Sequence, residues 1–273
     1  MFQDIYCVQL NTDFKKIYKF VFINNLKFKI MASSSEVGHA KNVANFQDLI
    51  EFVTGYGATY DPSKNSLKLP ALISLKQTAE LKLVNVITTN TEFNNRVNDR
   101  MIAFSNLKSL STRLVNALQS TDATDETIKD AKTVNRKMQG KRAGAPQTPT
   151  DPNAPAPNTI STSQQSYDQL IQHLTNLNAI LQAEPTYTPN EVELKTATID
   201  ALITDLTAKN TAVATAYTNI SNVRISRNET LYTSTDNLCD TAADVKKYVK
   251  SVFGASSPQF AQISGIKFSK PKV

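Results

Sequence analysis

The sequence predicts an all-α protein: two tandem homologous helical units with long, heptad-patterned helices packed as a bundle and joined by a Pro-rich linker. Three observations carry this. First, Tyr60-Asp61-Pro62-Ser63 with Leu67-Lys68 recurs as Tyr187-Thr188-Pro189-Asn190 with Leu194-Lys195. The same offset pairs Leu72 with Ile199, Leu75 with Leu202, Lys82 with Lys209, Val86 with Val213 and Asn95 with Asn222. After a single-residue insertion between Asn95 and Arg96 relative to the second copy, Arg96-Val97 pairs with Arg224-Ile225, Phe104 with Tyr232 and Leu110 with Leu238. Second, residues 71–119 and 190–253 hold neither Gly nor Pro, the strongest helix breakers. Third, five of the 11 prolines fall between Gly140 and Thr162, among Thr, Asn and Ala, where an extended linker is expected.

Residues 1–34 are an atypical leader, dense in Phe, Ile, Lys, Asn and Tyr, the residues of AT-rich codons. Met31-Ala32-Ser33-Ser34-Ser35 resembles a start, and Met31 is the expected initiator. The alternative is a hairpin, Ile17–Ile23 turning at Asn24-Asn25 into Leu26–Ile30. The first unit, 35–139, opens with a helix near Ser35–Thr54 stopped by Gly55-Tyr56-Gly57. Asp61-Pro62 reads as an N-cap with proline at the first helical position, and Thr188-Pro189, with Glu191 completing a capping box, reads the same way. The second unit, 163–268, opens near Ser163–Ala183, and its repeat is Val43-x-Asn45-Phe46-x-x-Leu49-Ile50 against Leu174-x-Asn176-Leu177-x-x-Ile180-Leu181.

Val192, Ile199, Leu206, Val213 and Ile220 recur every seven residues, as do Leu231, Leu238, Val245 and Val252 after one longer step. Leu72, Ala79, Val86 and Phe93 echo this in the first unit. Such a period is the seam of packed helices, and the longer step is a stutter that a continuous helix tolerates. Unbroken, the second helix would run about 90 Å at 1.5 Å per residue. The insertion would turn one half of a regular helix by about 100°, which a π-bulge or a tight hairpin at Thr88-Thr89-Asn90-Thr91 absorbs. Long, locally irregular helices are expected over hairpins. Shorter helices follow Thr124 and Ser257, and 269–273 is a tail.

The net charge is +6, but the first 30 residues carry five Lys against two Asp, so half of it sits in the leader. That is weak ground for a polyanionic partner. No run of 18 apolar residues exists to make a transmembrane helix, and no signal-peptide pattern is present. Cys7 and Cys239 do not make a disulfide framework, so a reducing, cytoplasmic setting is expected.

The sequence offers little chemistry. Glu36-x-x-His39 has the spacing of a di-iron ligand pair, but the second unit puts Leu170 at the matching place, and His39 is expected to be solvated. His173 has no cysteine or carboxylate at ligand spacing, and Cys239 reads as a small core residue. No nucleophilic triad or phosphate loop is visible, so no enzyme, metal or cofactor is expected. The candidate anion or partner contacts are arginines: Arg96 and Arg100 in one copy, Arg224 and Arg227 in the other. Their simpler role is a bridging polar layer, with Arg96–Asp99 and Arg224–Asn228 contacts across turns. The basic run Lys129, Lys132, Arg136, Lys137, Lys141 and Arg142 is a second candidate, though cations near a helix C-terminus need no ligand.

Gly38-His39-Ala40-Lys41-Asn42-Val43-Ala44-Asn45-Phe46, Gly55-Tyr56-Gly57-Ala58, Tyr60-Asp61-Pro62-Ser63-Lys64 and Val249-Lys250-Ser251-Val252-Phe253-Gly254-Ala255-x-Ser257-Pro258-Gln259 resemble an uncharacterised family of bacterial helical proteins of the Bacteroidota type. The resemblance implies lineage and fold and brings no activity. The expectation is a non-enzymatic structural or interaction scaffold whose partner is another protein or a second copy. The alternatives are a membrane-acting long-helix bundle and a nucleic-acid-associated protein using 129–142; the absence of aromatics among those charges weakens the latter.

Overall fold

Apolar residues at three- and four-residue steps put Val43, Phe46, Leu49, Ile50 and Val53 on one buried face of the first helix, α1 (Glu36–Gly55). The computed structural model describes residues 36–140 and 165–271, so the leader, most of the Pro-rich linker, Lys141 and Arg142 lie outside the described residues. Helices α2 (Leu69–Phe104), α3 (Leu107–Gln119) and α4 (Asp125–Gln139) follow. Beyond the linker come α5 (Tyr167–Ala183), α6 (Thr196–Asn228), a π-helical segment (Glu229–Thr233), α7 (Leu238–Phe253) and α8 (Pro258–Ser264). All regular structure among the described residues is helical.

The expected starts at Pro62 and Pro189 do not occur. Both stretches stay extended, pass through a 3₁₀ turn (Asn65–Leu67 and Val192–Leu194), and enter the long helices only at Leu69 and Thr196. The cause is tertiary. The buried Tyr60 hydroxyl donates to the Leu67 carbonyl at 2.7 Å, and the buried Tyr187 hydroxyl to the Leu194 carbonyl at 2.9 Å. Each bond holds its loop against the core before the helix begins. Other caps follow the sequence. Thr124 accepts from the Thr127 N–H at 3.3 Å, Ser257 from Phe260 at 3.1 Å, and Gly140 ends α4 at φ +71°.

The long helices are present and locally irregular, and the second run is not one unbroken helix of about 90 Å. α2 runs unbroken through Thr88–Thr91, about 54 Å for its 36 residues, and stops before the turn at Ser105 and Asn106. α6 is interrupted by the π-helical segment and then by a break at Ser234–Asn237, where Asp236 takes φ +56°. The Asn237 side chain caps α7 at the Asp240 N–H, 3.0 Å away. Leu238 therefore opens α7, whereas Leu110 lies in the first turn of α3. Ile199, Leu206, Val213 and Ile220 are buried as the spacing requires, whereas Val192, in its 3₁₀ turn, and Val252, on the outer face of α7, are exposed.

α2 and α6 run antiparallel along one another: Phe93 meets Tyr217, Arg100 reaches Asn210, and Arg224 reaches Asn90. A hydrophobic core sits at each end of this pair. One gathers Phe46, Leu49 and Leu72 with Leu231, Leu238, Val245 and Ile263. The other gathers Leu107, Leu114, Leu118 and Met138 with Leu174, Leu177, Ile199 and Leu206. Each core therefore draws on both sides of the Pro-rich segment. Between the ends, the α2–α6 waist buries only a thin seam that includes Val86, Val213, Ala216 and Ile220.

Candidate functional site

The arginines singled out by the sequence are spread along the α2–α6 pair, where two helices face each other without a wide core to hide polar groups. Arg100, near the end of α2, lays its guanidinium 4.0 Å from the centroid of the Tyr167 ring and donates from Nη1 to Asn210 Oδ1 at 2.9 Å. Tyr167 is held in turn by an edge contact with Phe104, and Asn210 Nδ2 donates to Asp168 Oδ1 at 2.7 Å. Arg100 Nε is buried without a hydrogen-bond partner. Arg224 on α6 answers in the opposite sense, donating from Nη2 to Asn90 Oδ1 on α2 at 3.2 Å.

Arg227 is 3% exposed and donates from Nε and Nη2 to Asn228 Oδ1 at 3.1 and 2.9 Å. The Arg224–Asn228 contact read from the spacing thus belongs to Arg227, because Arg224 points across the seam. Arg96 remains near the surface, 3.8 Å from Asp99 and 3.7 Å from Glu92 on its own helix. Exposed pairs of this kind contribute little, about 0–1 kcal/mol. Three of the four arginines are therefore directed inward. Arg96 alone lines an open groove of about 510 Å³, together with Glu92 on α2 and Ala208, Thr211, Thr215 and Asn219 on α6.

On α4, Lys129, Lys132, Arg136 and Lys137 are exposed while Ala131 and Met138 face the core. Asp125 and Glu126 in the first turn and Arg136 and Lys137 in the last complement the helix dipole. The last turn is further occupied by Gln165, whose Nε2 donates to the Lys137 carbonyl at 2.7 Å.

His39 is the clearest correction at this level. It is 2% exposed rather than solvated, and its Nδ1 lies 2.6 Å from the Tyr232 hydroxyl. Asn42, one turn on, donates to that hydroxyl at 3.1 Å. Spacing along α1 puts His39, Asn42, Phe46 and Leu49 on one face, but the π-helical segment that brings Tyr232 to it is remote in sequence. His173 is also buried, with Nε2 unpartnered; burial first, and Lys137 second, lower its pKa below the ordinary value. Cys239 lies in the core, its thiol pushed up to about 11 chiefly by burial. Among the described residues no group of three or more His, Cys, Asp or Glu side chains is placed to hold a metal ion, and no helix is long and apolar enough to cross a membrane.

Comparison with family models, with curated proteins and with solved structures returned no match.

Proposed function

We propose that this chain is a non-enzymatic interaction scaffold: two copies of one helical unit fused in tandem, of the bacterial lineage its sequence resembles, presenting a long helical face to a protein partner. The observation that carries this reading is the outer face of α2. Leu81, Val84, Ile87, Met101 and Ile102 are all exposed there, the most open being Ile102 at 67%. Leu81, Val84, Thr88, Thr91, Asn95, Asn98 and Ile102 alternate steps of three and four, the spacing that docks a further helix. The matching face of α6, with Thr204, Ala208, Thr211, Thr215, Thr218 and Asn222, is small and polar.

The tandem origin draws support from the two tyrosine-to-carbonyl bonds at equivalent loops. A cytoplasmic setting accords with Cys239 as a free, buried thiol. The test is the double variant Val84→Asp/Ile87→Asp, which charges the outer face and leaves the seam intact. Capture of partners by the tagged native chain, and its oligomeric state in sedimentation, are compared with those of the variant. The expected result is loss of the dominant association with unchanged helix content. A variant that keeps every association of the native chain refutes the reading.

A further inference from the structure

After α8 the chain crosses the groove between α1 and α7 without regular structure, and the contacts that hold it there are those of peptide recognition. Asn42 Nδ2 donates to the Ser269 carbonyl at 2.8 Å, and its Oδ1 accepts from the Ser269 N–H at 3.0 Å. One amide side chain thus takes both main-chain groups of a single residue. One turn along α1, Asn45 Nδ2 donates to the Lys267 carbonyl at 2.6 Å. From the opposite wall, Lys246 of α7 donates to the Ile266 carbonyl and, at 3.4 Å, to that of Ser264. Side chains alternate as in a bound strand. Ile266 and Phe268 are half-buried against the core, Phe268 edge-on to Phe46 with the Lys246 ammonium 5.5 Å from its ring, whereas Lys267 and Ser269 face solvent. Lys270 leaves the groove on an ion pair with Asp240 at 2.7 Å.

This clamp is held by residues outside the segment it grips. Asn42 is 2% exposed, and its amide is oriented by the Tyr232 hydroxyl, itself 2.6 Å from His39 Nδ1. The other end of the bundle has no equivalent clamp among the described residues. At the other end, the positions that the repeat matches to Asn42 and Asn45 are His173, buried with an unpartnered Nε2, and Asn176, which accepts from Gln172 on its own helix. There α4 packs on α5 where the strap runs on α1.

We propose that the α1–α7 groove is a recognition site for an extended segment of a partner protein, carrying an apolar residue, an aromatic residue two positions on and a basic residue two beyond that. Residues 266–270 of this chain, Ile-Lys-Phe-Ser-Lys, occupy the groove in cis as an autoinhibitory strap. Side-chain amides take the partner's main chain, the Phe46–Lys246 pocket takes the aromatic ring, and Asp240 takes the cation. The closed strap lowers the apparent affinity for the partner by the fraction of molecules in which it is open. This inference stands apart from the α2 face, since the groove lies on other helices.

The probe is a fluorescent peptide with the sequence of residues 264–271, titrated against the full chain by anisotropy. Lys270→Ala breaks only a half-exposed ion pair and is expected to tighten peptide binding about threefold; Ile266→Ala/Phe268→Ala, which empties the pocket, tightens it at least about tenfold. Adding Asn45→Ala to either variant weakens binding several-fold by removing one main-chain bond. If the double variant loses its helix content, Lys270→Ala decides alone. Binding no tighter to the strap variants than to the native chain, or indifferent to Asn45→Ala, overturns the proposal. A concentration-dependent dimer in place of peptide binding assigns the groove to tail exchange between copies and overturns it too.

Discussion

Arg100 and Asn210 tie the two long helices together: Nη1 donates to Oδ1 at 2.9 Å while the same guanidinium stacks on Tyr167. Lysine reproduces the charge but neither the planar stack nor the fork. Arg100→Lys is therefore expected to lower stability by about 1–2 kcal/mol and Asn210→Ala by about 1 kcal/mol. The two losses overlap, so the double variant falls short of their sum by at least about 0.5 kcal/mol. Urea titrations of the four proteins measure this, and strict additivity excludes the coupling.

Tyr60 and Tyr187 act on loops rather than helices. Replacing either with Phe keeps the ring packed and strips the partner from the Leu67 or Leu194 carbonyl. Each change should cost about 1–2 kcal/mol. The hydroxyls also set an alkaline limit. Burial, then Tyr248, raises Tyr60 far above its ordinary value of 10, and burial, then Glu191, pushes Tyr187 up to about 12. The folded state thus disfavours the phenolate. Stability is full below pH 10, declines as the unfolded tyrosines ionise above it, and continues to fall until the folded values are reached. Chemical denaturation between pH 8 and 11, repeated with Tyr187→Phe, checks this, because the variant should have the shallower decline.

His173 sets an acid limit of the opposite sense. Its folded value lies below the ordinary 6.5 because burial and Lys137 penalise the imidazolium. The unfolded chain therefore takes up the proton first, and stability drops as pH falls below 6.5 until the folded value is passed. His173→Leu removes the buried, unpartnered Nε2 and this proton linkage together. The variant is expected to gain stability relative to the native chain at pH 5 and less at pH 8. An equal difference at both values rejects the assignment.

Residues 158–273 alone contain only part of each core. Leu174, Leu177 and Leu206 lose Leu107, Leu114 and Met138, while Leu231, Leu238 and Val245 lose Phe46, Leu49 and Leu72. Opening contacts on this scale costs several times the 2–5 kcal/mol of one buried Leu→Ala change. The fragment should lack a cooperative melt by circular dichroism, and co-expression with residues 31–140 should restore it. A fragment that melts cooperatively as a monomer contradicts the shared cores.

Much of the fold was legible from local pattern. The ends of α1 at Gly55 and of α4 at Gly140, the caps at Thr124 and Ser257, and the buried Ile199, Leu206, Val213 and Ile220 all follow from the conformational range of single residues and from apolar spacing. The false starts at Pro62 and Pro189 show where that pattern stops. The motif for a helix cap was present, but a tyrosine folded back from the core had already taken the carbonyl that fixes the loop. The candidate site was legible as residue types and not as directions: Arg100, Arg224 and Arg227 were found, but their inward turn depends on which helix lies opposite.

The sequence by itself determined that this chain is helical, where some of its helices stop and which side chains seek an interior, because propensity, capping and apolar period act within a few turns. Only the tertiary structure decided that α2 and α6 lie antiparallel, that each end core is built from both sides of the Pro-rich segment, and that Asn42, bonded to Tyr232, also holds the backbone of Ser269. Those outcomes depend on which apolar faces and buried polar groups find one another across the whole chain, and burial has no memory of sequence distance.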